Sequence, residues 1–142
     1  MSKIKKLSPE NLDEILEISK ASFSQVWPRS AFEKYRDSLF VAEDNGEIAG
    51  FIVIKIVSNQ GKIKLIAVNP NFRGKGIGKS LMEYAFKYFA ENRVKEIMAR
   101  SRLHNEAGCA FLKSFGFKIK KTIENYYLDG EDAFLMIKKK DG

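Results

Sequence analysis

The segment that could do chemistry most directly runs from Val68 to Ser80 and reads VNPNFRGKGIGKS. Gly74, Gly76 and Gly78 alternate with Arg73, Lys75, Ile77 and Lys79. Placed between a strand and a helix, such small residues let several backbone N–H groups converge on one anion. The helix N-terminus adds about half a positive charge, and Arg73, Lys75 and Lys79 add whole ones. The chemistry this serves is the binding of a phosphate, and above all of a pyrophosphate. Spacing excludes two motifs built on the same logic. A Walker A loop would place its first glycine at position 73, which is Arg, and a G-x-G-x-x-G loop would place its third at position 79, which is Lys. The spacing that fits is R-x-x-G-x-G, carried by Arg73, Gly76 and Gly78. The same residues also suit a plain strand-to-helix turn whose glycines serve close packing.

The elements around this loop must hold it in place. Pro9 and Glu10 open a helix whose apolar positions Leu12, Ile15, Leu16 and Ile18 lead to Phe23. A second, short helix starts near Ser30 and carries Phe32 and Tyr35. Phe40–Ala42 reads as a strand, Asp44–Glu47 as a hairpin turn because Asn-Gly tolerates positive φ, and Ile48–Val57 as a long central strand. Asn59-Gln60-Gly61 turns into a further strand, Lys62–Val68. The pattern then changes. After the glycine loop comes a helix with Leu81, Met82, Ala85, Phe86 and Phe89 on its apolar stripe and Glu83 and Lys87 on the wet side. Val94–Ala99 reads as a strand. Asn105–Ser114 reads as a helix with Ala107, Ala110 and Phe111 inward, closed by Gly116. Phe117–Thr122 and Ala133–Ile137 read as the last two strands. The fold class is α/β: a single mixed sheet, antiparallel in its first half and strand–helix–strand in its second.

Composition narrows the setting. A chain of 142 residues with 44% hydrophobic and 30% charged residues is ordinary globular usage, and one domain over residues 1–142 is expected. Lys and Arg number 25 against 18 Asp and Glu, a formal charge of +7. That excess asks for an anionic partner: nucleic acid, anionic lipid or a phosphorylated small molecule. A lone cysteine, Cys109, excludes an internal disulfide and, with one histidine, argues against a metal site. Met1–Lys6 lacks the apolar stretch of a signal peptide, and the longest uncharged apolar run, Ile48–Ile54, is too short to span a bilayer. A cytoplasmic location and no membrane partner are therefore expected. A non-catalytic nucleic-acid binder has only the charge in its favour, because no helix-turn-helix spacing, RNP-type aromatic pair or arginine-rich run accompanies it.

R-x-x-G-x-G after a strand ending Ile66-Ala67-Val68 resembles the acetyl-CoA motif of the GNAT acetyltransferase superfamily. Asn105, Ala107, Phe111 and Phe115-Gly116-Phe117 are similar to the second half of that motif set. The segment Asn125–Met136, with Tyr126-Tyr127 and Glu131-Asp132-Ala133, resembles the tail of the N-terminal α-amino acetyltransferases, including the branch that acts on a ribosomal-protein alanine. The resemblance spans about Asn11 to Met136. It implies that the backbone of Ile66, Ala67 and Val68 holds the pantetheine and acetyl carbonyl, with the Val68 N–H as oxyanion donor. It also implies that Gly74, Lys75, Gly76, Ile77, Gly78 and Lys79 bind the pyrophosphate with Arg73, and that Asn105 bonds the pantetheine arm. Tyr126 and Tyr127 would then face the acceptor, a peptide or protein N-terminus, a ribosomal one included. In that branch a Glu on the fifth strand serves as base and a Tyr on the following helix as acid. Counted from Asn105, those positions hold Arg100 and Leu112, and neither can move a proton.

Acetyl transfer needs a neutral amine, and a peptide α-amine with a pKa of about 7.7–8.0 supplies one near pH 7 far better than a lysine at about 10.4. Tyr127 is the first candidate for acid or water-positioner, although a strand tyrosine can simply pack. His104 titrates in the right range and also reads as an exposed loop residue. Glu131 and Asp132 suit either an acceptor ammonium or a turn. Cys109 reads as a packed small hydrophobe. Arg100, Arg102, Lys118, Lys120 and Lys121 suit either a patch at the acceptor mouth or scattered surface charge. The expected reaction is acetyl transfer from acetyl-CoA to a protein N-terminal α-amine, with a polyamine or amino sugar as the alternative acceptor, and with no metal.

Overall fold

The computed structural model describes residues 3–23 and 26–139. Its strands are β1 (Lys3–Lys6), β2 (Leu39–Asp44), β3 (Glu47–Val57), β4 (Gln60–Val68), β5 (Glu96–Arg102), β6 (Lys118–Ile123) and β7 (Ala133–Lys139). They form one mixed sheet in the order β1-β2-β3-β4-β5-β7-β6. The helices are α1 (Leu12–Ser22), α2 (Arg29–Lys34), α3 (Ile77–Glu91) and α4 (Glu106–Ser114). The chain divides into two units: Met1–Lys55 with Leu65–Tyr88, and Ile56–Lys64 with Phe89–Gly142.

In the first unit β3 is buried without a break from Ile48 to Ile54, which is why its sequence is apolar at every position rather than alternating. One face of the strands packs against α1 and α2 through Ile15, Ile18, Phe32, Val41, Phe51 and Val53. Phe32 meets Phe51 edge-on, with ring centroids 5.9 Å apart, and Trp27 lies 5.4 Å from both Phe32 and Tyr35. The other face carries α3. Gly50 is required there. A Cβ at that position would lie 2.7 Å from the Ala67 carbonyl oxygen, 3.1 Å from Ile77 Cγ2 and 3.3 Å from Leu81 Cδ1, so the first turns of α3 rest directly on β3 backbone. The β2–β3 hairpin turns at Asn45 (φ 53°) and Gly46 (φ 80°), the paired left-handed conformation that Asn-Gly favours. β1 pairs antiparallel with β2 from Lys3↔Glu43 to Lys6↔Phe40, and Lys5 Nζ reaches Glu43 Oε2 at 2.6 Å.

In the second unit the start of β4 pairs parallel with β5 from Gln60↔Glu96 to Ile63↔Ala99. β7 lies antiparallel to β5 over seven residues, Glu96↔Lys139 to Arg102↔Ala133, with β6 on its far side. Gly61 leaves room for the buried Phe89, whose ring carbons would lie 2.8 Å from a Cβ. β5 alternates strictly: Ile97, Ala99 and Ser101 are buried, and Glu96, Met98, Arg100 and Arg102 stand on the opposite face, half-buried. Cys109 Sγ, buried in α4, lies 3.3 Å from Ser101 Oγ. β6 is exposed along nearly its whole length, including Lys118, Lys120 and Lys121.

Three expectations change. The β3–β4 turn lies at Ser58 (φ 55°) and Asn59, so Gln60 and Gly61 already belong to the strand. The inward side of α4 is Cys109 and Leu112; Ala107 and Ala110 are exposed and Phe111 is half-buried against Phe115. Alanine offers little area to bury, so the helix turns its larger Leu112 inward. β1 was not anticipated at all. Lys138 and Lys139 end β7, and Lys140 lies outside the described residues.

Candidate active site

The first unit carries the glycine loop. β4 ends where the Asn69 N–H donates to the Ala49 carbonyl (2.7 Å) and Asn69 Nδ2 donates to the Ile48 carbonyl (3.1 Å). Asn69 Oδ1 accepts from the Asn71 N–H at 3.0 Å. Three bonds from one residue thus pin the end of β4 to β3 and start the turn Pro70–Phe72, whose Phe72 is buried. Beyond it, Arg73, Gly74, Lys75 and Gly76 are all exposed, with Lys75 Nζ 5.3 Å above the Phe72 ring. Gly74 (φ 79°) and Gly76 (φ 77°) are left-handed, and a Cβ on either would meet nothing within 4 Å. Their requirement is therefore conformational rather than a matter of internal packing.

The first intrahelical bond of α3 runs from the Ser80 N–H to the Gly76 carbonyl at 3.0 Å. Gly76 has no side chain to cap the helix, and the first turn holds no acidic residue. The N–H groups of Ile77, Gly78 and Lys79 thus receive no cap from Gly76, and they sit beside two left-handed glycines and three cations. That donor set fits a diphosphate. Ile77 itself is buried against the sheet, so its contribution is its backbone. Ala67 is buried, while Ile66 and Val68 are half-buried. A cleft of about 460 Å³ in this unit is lined by Glu14, Glu17, Ile18, Ile48 and Asn69–Asn71, and none of the anticipated cofactor residues borders it.

The second unit carries the tyrosines. Tyr127, Leu128, Asp129 and Gly130 form a turn in which the Gly130 N–H donates to the Tyr127 carbonyl (2.9 Å) and the Tyr127 N–H donates to the Glu131 carbonyl (3.1 Å). Arg102 holds this turn. Its Nη1 donates to Asp129 Oδ2 (2.8 Å) and Glu131 Oε1 (2.7 Å), while its guanidinium lies 4.0 Å above the Tyr127 ring. Glu131 Oε2 also accepts from the His104 N–H at 3.1 Å. The hydrogen bonds from Arg102 and the His104 N–H hold the Glu131 carboxyl below its ordinary range. The Glu131 N–H and then Arg102 do the same for Asp129. Burial raises the Tyr127 phenol, against the pull of Arg102 and Arg100, so it stays protonated at neutral pH. Tyr126 is 45% exposed and packs edge-on to Tyr127, centroids 5.0 Å apart.

These contacts give several of the anticipated residues a structural role. Glu131 is tied to Arg102, and Asp132 Oδ1 accepts from the Asn125 N–H at 2.9 Å, so both carboxylates shape the turn. His104 is exposed and engages Glu131 through its backbone. Asn105 caps α4: its Oδ1 accepts from the Gly108 N–H at 2.9 Å. Leu112 is a core residue, 6% exposed. Sequence reasoning missed Asn69 as the strand anchor, although Asn-Pro after a strand is a turn signal. It also missed Arg102 as the organiser of the tyrosine turn, a link across 27 and 29 residues that no local pattern carries. Among the described residues no helix is long and apolar enough to cross a membrane.

Residues 12–117 match the model of the acetyltransferase (GNAT) family. A protein of Methanocaldococcus jannaschii named as an uncharacterized N-acetyltransferase is 33% identical over 96% of this chain and 91% of its own. The N-alpha-acetyltransferase of Sulfurisphaera tokodaii is 30% identical over 89% of this chain and 86% of its own. Among solved structures, the ribosomal-protein-S18-alanine N-acetyltransferase of Escherichia coli superposes with a TM-score of 0.88 at 26% identity, covering 100% of this chain and 97% of that one. The NatC complex bound to Gag peptide and CoA gives a TM-score of 0.84 at 25% identity over 99% of each chain. With the mixed sheet and the R-x-x-G-x-G loop in place, the conclusion is that this chain belongs to the GNAT acetyltransferase family.

Proposed function

We propose that residues 1–142 act as one catalytic domain that transfers acetyl from acetyl-CoA to the N-terminal α-amine of a peptide or protein. The observation that carries this reading is the glycine start of α3, with Gly74 and Gly76 left-handed and no acidic residue in the first turn, a donor set suited to the pyrophosphate of acetyl-CoA. Arg73, Lys75 and Lys79 add charge around it, and the backbone of Ile66, Ala67 and Val68 serves the pantetheine arm and acetyl group. The Val68 N–H is the proposed oxyanion donor. Relatives that act on protein N-termini support the choice of acceptor.

The chemistry is direct attack. The neutral amine forms the C–N bond and the C–S bond breaks; the attacking nitrogen gives up one proton to water, and the sulfur leaves as a thiolate that takes one up. The amine supplies itself in neutral form near pH 7, so no strong base is required at position 100 or 112. Tyr127, whose phenol stays protonated, is suited to give the proton or to hold the water that gives it. It is not suited to act as a base. The test is mass spectrometry of a broad N-terminal peptide panel with acetyl-CoA, for wild type and Tyr127→Phe. Acetylated peptides are expected, with kcat reduced about 10²-fold or more in the variant and KM for acetyl-CoA unchanged. Thiol release with small amines but with no peptide would replace this acceptor class by small molecules.

A further inference from the structure

Arg100 and Arg102 stand two residues apart on the same face of β5, yet their surroundings differ in kind. Arg102 is saturated by Asp129 and Glu131. Arg100 lies over the Tyr126 ring, its guanidinium carbon 5.3 Å from the centroid, and no described carboxylate pairs with it. Its Nε is shut away from water and has no hydrogen-bond partner. The acids that could have neutralised it are committed elsewhere: Asp129 and Glu131 to Arg102, Asp132 to the Asn125 N–H. A permanent cation with a buried, unused donor is costly unless something else supplies the anion. The protein gives Arg100 an aromatic seat and leaves its counter-ion to be brought in. The planar fork of a guanidinium matches a carboxylate in two parallel hydrogen bonds.

We infer that Arg100 sets acceptor specificity by receiving a carboxylate side chain from the acceptor, so that the preferred acceptors are acidic N-termini. This rests on the N-terminal acetylation proposed above. The assignment also accounts for the Arg at a position where a proton carrier was anticipated: the residue selects the acceptor and takes no part in proton transfer.

The experiment compares kcat/KM for synthetic peptides that differ only by Glu or Gln at residue one, two or three, with acetyl-CoA saturating. Wild type, Arg100→Gln and Arg100→Lys are measured. For at least one position, wild type should prefer the Glu peptide by about tenfold or more, as for hydrogen bonds to charged groups generally, with the difference in KM rather than kcat. Arg100→Gln should bring that ratio to about one, and Arg100→Lys should restore part of it. A preference that survives in Arg100→Gln, or no preference in wild type, overturns the inference. A variant whose defect lies only in KM for acetyl-CoA assigns the guanidinium to a cofactor phosphate and overturns it as well. Wild type that acetylates no peptide overturns the N-terminal reading itself, before any variant is compared.

Discussion

Replacing Gly76 separates backbone geometry from anion binding, because a Cβ there would meet nothing within 4 Å. Every L residue at this position meets the left-handed backbone (φ 77°), at a cost of about 1–2 kcal/mol. If the loop keeps its shape on binding, that cost lowers the melting temperature of the free protein and leaves the ligand-induced shift intact. Charge acts the other way. A Glu side chain placed about 4 Å from a phosphate charge is repelled by about 1 kcal/mol in water and about 4 kcal/mol at an effective dielectric near 20; this exposed loop lies between, near about 2 kcal/mol. With acetyl-CoA at a hundred times the wild-type Kd, ligand binding stabilises wild type by about 2.7 kcal/mol. The weakened Gly76→Glu variant retains about 0.9 kcal/mol under the same relation. At about 3–4 °C per kcal/mol, the shifts are about 10 °C and about 3 °C. Differential scanning fluorimetry of wild type, Gly76→Ala, Gly76→Glu and Gly76→Lys reads them directly. Gly76→Ala and Gly76→Lys should melt lower without ligand yet keep most of the shift. Equal shifts for Gly76→Glu and wild type would remove the loop from cofactor binding, and an equal loss in Gly76→Ala would replace the electrostatic account by a conformational one.

Other outcomes follow from the same geometry. Asn105→Ala should cost about 1 kcal/mol through loss of the α4 cap, seen in urea unfolding. Asn105→Asp should keep the cap, so a KM for acetyl-CoA raised in both variants identifies the amide as a pantetheine donor. Arg102→Gln should lower stability at pH 7. The carboxyls of Asp129 and Glu131 are held low in the folded state, so their contribution is present above about pH 4 and is lost as pH falls through their folded values. The urea-midpoint gap between wild type and variant should therefore narrow as pH falls below about 4; a constant gap contradicts the ion-pair account. Gly50→Ala should destabilise by about 1–3 kcal/mol through overpacking, because the Ala67 carbonyl 2.7 Å away is backbone and cannot swing aside. It should also raise KM for acetyl-CoA, since Ile77 opens the helix that binds it. Unchanged urea unfolding would contradict the close approach.

What was legible in the sequence was local. The loop declares itself because its glycines, cations and helix start lie within about a dozen residues, and Asn45-Gly46 fixes its hairpin for the same reason. β1 escaped notice because Lys-Ile-Lys-Lys has no alternation of its own; its ladder to β2, more than thirty residues away, makes it a strand. The phase of α4 was misread because its alanines looked apolar while Cys109 and Leu112 did the packing. The tyrosine turn was visible as residues and invisible as a site. Arg102, Asp129 and Glu131 meet only after β5 and β7 pair.

The two strands at the ends of the sheet order, β1 and β6, carry Lys3, Lys5 and Lys6 on one and Lys118, Lys120 and Lys121 on the other. A terminal strand exposes a row of unpaired backbone groups that can template another chain's strand, and lysines along it oppose such growth. Two copies meeting β6 to β6 would bring three exposed lysines against three, whereas on β1 Lys5 is already paired with Glu43. Lys118, Lys120 and Lys121 are thus placed to oppose the addition of another strand. Part of the positive balance that first pointed outward to an anionic partner therefore lies on the sheet's edges, where it disfavours edge-to-edge pairing.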